Sequence, residues 1–278
     1  EISCSLVGSE MCIRDRYLTT SDPRSTHDPI GESEWQSTLS NALADSKALS
    51  LGLQSQRYQG QGSVRHMQEA TLILHEPNGS ALSGALFLPV AVRLGLSAEF
   101  DLRALELSLQ LLAQQAPLAT DHFMVVRVSL PSLAHPEFID GVAQRLQTQA
   151  PELARLQHLV LELDAHGLVA YPEEMMAFAQ AIQGAGAQLG LRRLDQQTDA
   201  IIHLHRYRLN YVKLGGPFVE RAQSSPGSSF LLQALVDTAQ TLNHQVFVTE
   251  PYDESYGHGL HDRGVVFLVR DATDPSLG

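Results

Sequence analysis

QLGLRRLDQQTDAIIHLHRYRLNYVKLGG, residues 188–216, holds two short apolar segments, 189–191 and 211–214, on either side of a polar link and a short amphipathic turn. Apolar runs of that length, set apart by polar residues, are the pattern of neighbouring strands in an α/β protein. The first predicted strand ends on Arg192 and Arg193, and the second ends on Lys213. In a parallel α/β barrel the side chains at the C-terminal strand ends face the functional mouth. Three cations at two successive strand ends therefore predict a basic wall to such a pocket.

Working outward, 278 residues suffice for one full core, since an α/β barrel commonly takes about 250. A formal charge of -12 and a pI near 5.4 argue against nucleic-acid binding, because phosphate contacts call for a basic surface. No window approaches the roughly 20 apolar residues of a membrane span. This portion is thus expected to be soluble and cytoplasmic, and a complete protein could carry an anchor outside it. Both cysteines, Cys4 and Cys12, stand in the first sixteen residues, so a disulfide framework or a cysteine-based zinc site is excluded for the body.

Residues 1–16, EISCSLVGSEMCIRDR, have neither a long apolar core nor helical periodicity and resemble a translated adapter string, so they are set aside as a non-native leader, and the true N-terminus is expected to be missing. Residues 17–33, rich in Ser, Thr, Asp and Pro, read as a linker with another segment expected before it. The domain is expected over 34–278. It opens with a helix placing Trp35, Leu39, Ala42 and Leu43 on one face to close the barrel bottom, and strands follow at 49–54, 68–74, 123–130, 158–164 and 245–250. Helices are expected in 85–115 with a break near Gly95 and Leu96, from His135-Pro136 to 148, over 172–184, and over 218–242, the last interrupted by a flexible SSPGSS turn.

These fragments together resemble the EAL-domain family of cyclic-di-GMP phosphodiesterases. Residues 49–54, LSLGLQ, match the family's opening strand with Gln54 on its glutamine, and Glu69-Ala70-Thr71 stands on the name-giving Glu-Ala-Leu. Phe87, Pro89, Ala91, Gly95 and Leu96 match the segment after it, and Glu162 matches the first glutamate of a Glu-Ile-Thr-Glu motif whose second glutamate is here Ala165. Glu250 and Asp253 align with a late pair of glutamates, and Lys213 keeps the family lysine. The departures are of one kind. Arg192 and Arg193 occupy the place of the metal-binding Asp-Asp pair, Arg127 that of a metal-binding asparagine, Ile73 that of a phosphate-contacting arginine, and Arg263 and Val265 flank the glycine of a late Gln-Gly-Tyr.

The resemblance implies a modified (β/α)8 barrel with its first strand antiparallel. It also implies a family chemistry of two divalent cations, held by oxygen ligands, that activate water. Arginine has no lone pair to offer a metal, so the expectation is a degenerate domain with no metal, no cofactor and no catalysis. The candidate pocket comprises Gln54, Glu69, Arg127, Glu162, Arg192, Arg193, Lys213, Glu250, Asp253 and Arg263. Guanidinium groups would stand in for the missing cations in an internal ion-pair network. Plain alternatives stay open: strand-end arginines can be ordinary solvated residues, the glutamates structural remnants, and Lys213 a simple ion-pair partner. His203 and His205, two apart, do not share a helical face, and His258 and His261 lack a third metal ligand.

Three functions follow as expectations. The first is a regulatory or interaction module in cyclic-di-GMP signalling, working through a protein partner or an upstream sensory or GGDEF-like domain. The second is a metal-independent receptor for cyclic-di-GMP, and the third and weakest is an active phosphodiesterase. A homodimer through the barrel is a further expectation.

Overall fold

The computed structural model describes residues 31–59, 64–114, 122–148, 156–249, 260 and 263–270. The expected leader, most of the expected linker, Glu250, Asp253, His258 and His261 lie outside them. The chain divides into two units, Glu1–Thr38 and Leu39–Gly278. The described part of the first unit is the start of helix α1 (Glu32–Ala44), where Glu32 and Glu34 place negative charge on the first turn, the favoured sign at a helix N-terminus. The same helix buries Leu39 and Ala42 in the second unit.

The second unit is built on one sheet. Its strands are β1 (Leu49–Gln59), β2 (Val64–His75), β3 (Ala81–Ser83), β4 (His122–Arg127), β5 (Leu159–Asp164), β6 (Gln188–Arg192), β7 (Leu209–Gly215), β8 (Gln245–Thr249), β9 (Val265–Phe267) and β10 (Val269–Arg270). The hydrogen-bonded order is β10-β1-β2-β4-β5-β6-β7-β8-β9, with the short β3 hairpinned onto β2. β1 runs antiparallel to β2 over eleven register pairs, from Leu49↔Leu74 to Gln59↔Val64, whereas β2, β4, β5, β6, β7, β8 and β9 are successively parallel. The chain from 265 to 270 then pairs with β8 on one side and β1 on the other. That segment closes the sheet into a barrel whose first strand is antiparallel.

Between the strands run α2 (Gly84–Arg93), α3 (Ser97–Gln114), α4 (Leu130–Leu133), α5 (Phe138–Thr148), α6 (Gly167–Ala170), α7 (Pro172–Gly184), α8 (Gly216–Ser224) and α9 (Pro226–Thr241), with 3-10 turns at Leu194–Gln196 and Thr198–Arg206. Gly95 takes φ +73 between α2 and α3, which ends one helix where the sequence places the break. Two expectations are corrected. Leu130 does not close a strand: Pro131 sits at the start of α4, a position where the missing proline N–H costs nothing. Nor is SSPGSS a free turn, because Ser225 caps α9 by accepting from the Ser228 N–H at 3.4 Å, with Pro226 at the first helical position.

Inside the barrel, Tyr58, Met67, Val125, Val160, Tyr211, Phe247 and Leu268 form the central cluster. The Phe247 ring lies 4.9 Å from that of Tyr58 and 5.0 Å from that of Tyr211. Side chains alternate along each strand, so residues two further along from this cluster face the mouth. That register sets Glu69, Arg127, Glu162 and Lys213 above the apolar floor. Among the described residues, no helix is long and apolar enough to cross a membrane.

Candidate functional site

Glu162 is the centre of the mouth. It is fully buried two residues before the end of β5, and strand register sets Arg127 of β4 beside it on one side and Gly190 of β6 on the other. Arg127 reaches Glu162 Oε1 through Nε at 3.3 Å and Glu69 Oε1 through Nη2 at 2.6 Å. Lys213 Nζ lies 2.5 Å from Glu162 Oε2, and the Tyr211 hydroxyl donates to the same oxygen at 2.7 Å.

The reach of Tyr211 depends on a glycine. In register Gly190 pairs with both Glu162 and Tyr211, so the three stand at one level with no side chain between them. A Cβ on Gly190 would lie 2.6 Å from the Tyr211 ring. Lys213 also sits over that ring, 5.1 Å from its centroid, a cation–π contact that helps hold a buried ammonium.

The charges of this layer reinforce one another. Burial alone would raise the Glu162 pKa, but Lys213 and Arg127 outweigh it and hold the group at about 2. Partial desolvation lowers the Arg127 pKa, and Glu69 and Glu162 more than reverse that, so it stands above its ordinary value. Tyr211 is pushed well upward, first by burial and then by the neighbouring Glu162 charge. Glu69 keeps one loose end: its Oε2 is buried without a hydrogen-bond partner, while Gln54 stands directly opposite it in the β1–β2 pairing.

Arg192 and Arg193 do not join this layer. Both turn to Asp164, with Arg193 Nη1 at 3.3 Å and Arg192 Nη2 at 3.9 Å from its Oδ2. The reason is register. Asp164 pairs with Arg192 on the adjacent strand, one alternation above Glu162, so the nearest carboxylate at their own height is Asp164. Arg193 moreover leaves the strand in the left-handed region at φ 58. Arg263 is also elsewhere, donating to Gln233 of α9. Ile73, on the opposite rim, leans over Gly52, where a Cβ would come within 2.9 Å of its Cδ1.

The described mouth thus has two layers. Glu69, Arg127, Glu162 and Lys213 make a neutral inner layer, and Asp164 with Arg192 and Arg193 make an outer layer, where Asp195, which accepts from the Gly215 N–H at 3.0 Å, also faces the Arg193 charge. Sequence reasoning missed Asp164, Tyr211 and Gly190. Period-two alternation could have found the first two, which stand two residues from Glu162 and Lys213 on the same strand faces. The described residues do not fit a pair of divalent cations, because side-chain cations already occupy oxygens of both glutamates among them and arginine offers no lone pair. Nearby, buried Asp101 of α3 accepts from the Ser129 N–H at 2.7 Å, Ser129 Oγ at 3.3 Å and Ser132 Oγ at 2.6 Å. It thereby anchors the turn that follows Arg127. Burial pushes its pKa up to about 7 against those three bonds.

The sequence model of the EAL domain matches residues 36–251. The chain is 22% identical over 169 residues, 60% of its length, to a probable cyclic di-GMP phosphodiesterase of Escherichia coli, PdeG, and 25% identical over 138 residues, 50% of its length, to another, PdeN. It spans only 33% and 26% of those two proteins. Among solved structures, the S helix-GGDEF-EAL portion of Vibrio cholerae LapD superposes with a TM-score of 0.73 at 19% identity, covering 89% of this chain and 60% of that one. The FimX EAL domain of Pseudomonas aeruginosa bound to c-di-GMP gives 0.69 at 20% identity, covering 84% and 93%.

Proposed function

The chain belongs to the EAL domain family, and on that premise we propose that it is a non-catalytic member, a regulatory or interaction module in cyclic-di-GMP signalling. The observation that carries this reading is the Arg127 guanidinium between Glu69 and Glu162, at 2.6 and 3.3 Å. Two buried carboxylates with nothing between them would repel, and hydrolysis in this family answers that repulsion with metal ions. Here a fixed side-chain cation answers it. Lys213 and Tyr211 saturate the other oxygen of Glu162, so Glu162 is satisfied without a ligand, and Glu69 Oε2 is the one inner-layer oxygen left without a hydrogen bond among the described residues. Signal output then runs through a protein partner or an adjoining sensory or GGDEF-like domain.

The test is incubation of the chain with cyclic-di-GMP and either magnesium or manganese, which should yield no linear dinucleotide above the rate without protein. Metal-dependent turnover would overturn the reading. Arg192→Asp with Arg193→Asp should not restore activity, because Arg127 still bridges the glutamates. A second reading, metal-independent binding of cyclic-di-GMP, is favoured by Arg192, which makes no side-chain hydrogen bond among the described residues and meets Asp164 only at 3.9 Å.

A further inference from the structure

We propose that the Asn78–Gly79 peptide is a covalent modification site, where the Asn78 side chain closes onto the Gly79 nitrogen, loses ammonia and reopens as aspartate or isoaspartate. Of the four asparagines, Asn41, Asn78, Asn210 and Asn243, only Asn78 precedes a glycine. It stands at the tip of the hairpin joining β2 to β3, in a turn that the Gly79 N–H closes by donating to the Glu76 carbonyl at 2.9 Å. Pro77, Asn78 and Gly79 are all exposed. Even an added Cβ at Gly79 would meet nothing within 4 Å, so no neighbour crowds the space in which a ring would close. The other three are worse placed, because Asn41 is held in α1 and Asn210 in β7, and each is followed by a residue with a side chain, as is Asn243.

Two contacts prepare the side chain. The Ser80 N–H donates to Asn78 Oδ1 at 2.8 Å, and a donor on that oxygen stabilises the negative charge that builds there as the carbonyl carbon is attacked. Asn78 Nδ2 lies 3.4 Å from Glu76 Oε2, which also accepts from Ser80 Oγ, so the carboxamide is held in one orientation. The Gly79 nitrogen, released from the Glu76 carbonyl and deprotonated, bonds to Asn78 Cγ; the Cγ–Nδ2 bond breaks, and ammonia carries the proton away. Water then opens the five-membered imide at either carbonyl, giving aspartate or, with the main chain rerouted through the side chain, isoaspartate. Release of the nitrogen is a local event at an exposed tip, where opening costs little. The product sets a second carboxylate beside Glu76 in place of an amide donor, and like charges so placed repel. β3 has three register pairs with β2, Ile73↔Ser83, Leu74↔Leu82 and His75↔Ala81, and Ser83 caps α2 by accepting from the Ala85 N–H at 3.4 Å. The modification therefore loosens the rim beside Ile73, slowly and without an enzyme.

Peptide mapping by mass spectrometry tests this on the whole chain, held for days at mildly acidic and at mildly alkaline pH. The peptide carrying Asn78 should gain the mass of an amide-to-acid change and resolve into two isomers, one of them labelled by an isoaspartyl methyltransferase. Conversion should be faster at the alkaline pH, where more of the attacking nitrogen is deprotonated. It should exceed that at Asn41, Asn210 and Asn243 by about tenfold or more, since rate depends exponentially on the barrier that access to the nitrogen sets. Hydrogen exchange at Ala81–Ser83 should be faster in the aged chain than in the fresh one. Asn78→Gln, a change at an exposed tip that leaves the fold intact, should lose both the labelling and the effect of ageing on exchange. The proposal is overturned if Asn78 converts no faster than the other three asparagines, if aspartate forms without isoaspartate, or if the aged and fresh chains exchange alike at Ala81–Ser83.

Discussion

Glu162 concentrates the electrostatics of the mouth in one carboxylate, with both oxygens engaged by Arg127, Lys213 and Tyr211. Its folded pKa of about 2 lies below the ordinary 4.5. A group depressed in this way stabilises the fold above pH 4.5 and loses that contribution as pH falls towards 2. The shift corresponds to roughly 3 kcal/mol. Asp101 has the opposite sign: raised from 3.8 to about 7, it contributes stability present below 3.8 that is lost as pH rises through 7. Urea unfolding across pH should therefore show the unmutated chain losing roughly 3 kcal/mol relative to Glu162→Gln between pH 4.5 and 2, Asp101 contributing equally to both. Parallel profiles for the two proteins through that window would show that the ion-pair layer does not stabilise the fold.

At the scale of elements, the site depends on how β5, β6 and β7 stand side by side. Glu162, Gly190 and Tyr211 occupy one level of the sheet, and the hydroxyl crosses the middle strand because that strand offers no side chain there. Gly190→Ala should place a methyl group within 2.6 Å of the Tyr211 ring and cost about 1–3 kcal/mol, the range for overpacking a core. Gly184, the last residue of α7, has nothing within 4 Å of an added Cβ. Gly184→Ala should be neutral or stabilising by about 0.5–1 kcal/mol from helix propensity. Thermal melts of the two variants give the comparison, and equal effects would show that Gly190 is merely a strand glycine. The same strand register explains why Arg127 meets Glu162 while Arg192 meets Asp164.

For the whole molecule, the segment 265–270 is the closure. It pairs with β8 through β9 and with β1 through β10, and Leu268 between them is 2% exposed within the cluster that holds Tyr58 and Phe247. Ending the chain at Gly264 would leave two unpaired sheet edges and open the interior around Phe247. Open edges and lost core contacts both act against a cooperative fold. Such a truncation should abolish the sharp thermal transition, followed by circular dichroism; a transition within a few degrees of the full chain would show that the barrel is stable without its closing strand.

Several features were legible in the sequence because they depend on local pattern. Apolar runs of strand length, the Gly95 break and Pro172 at a helix start fall where the residues place them, and the family register and spacing point to the barrel and to Glu69, Glu162 and Lys213, which the folded sheet brings together with Arg127. What that spacing left open was the pairing of opposite charges. The sequence presents Arg127, Arg192, Arg193 and Arg263 as equivalent replacements facing one set of acids. Only the folded sheet separates them: Arg127 bridges Glu69 and Glu162, the Arg192–Arg193 pair shares Asp164, and Arg263 turns to α9. The physical reason is that ion pairing depends on distance and burial in three dimensions. Those quantities follow from the register between strands that lie far apart in the chain, and tertiary structure alone determines that register.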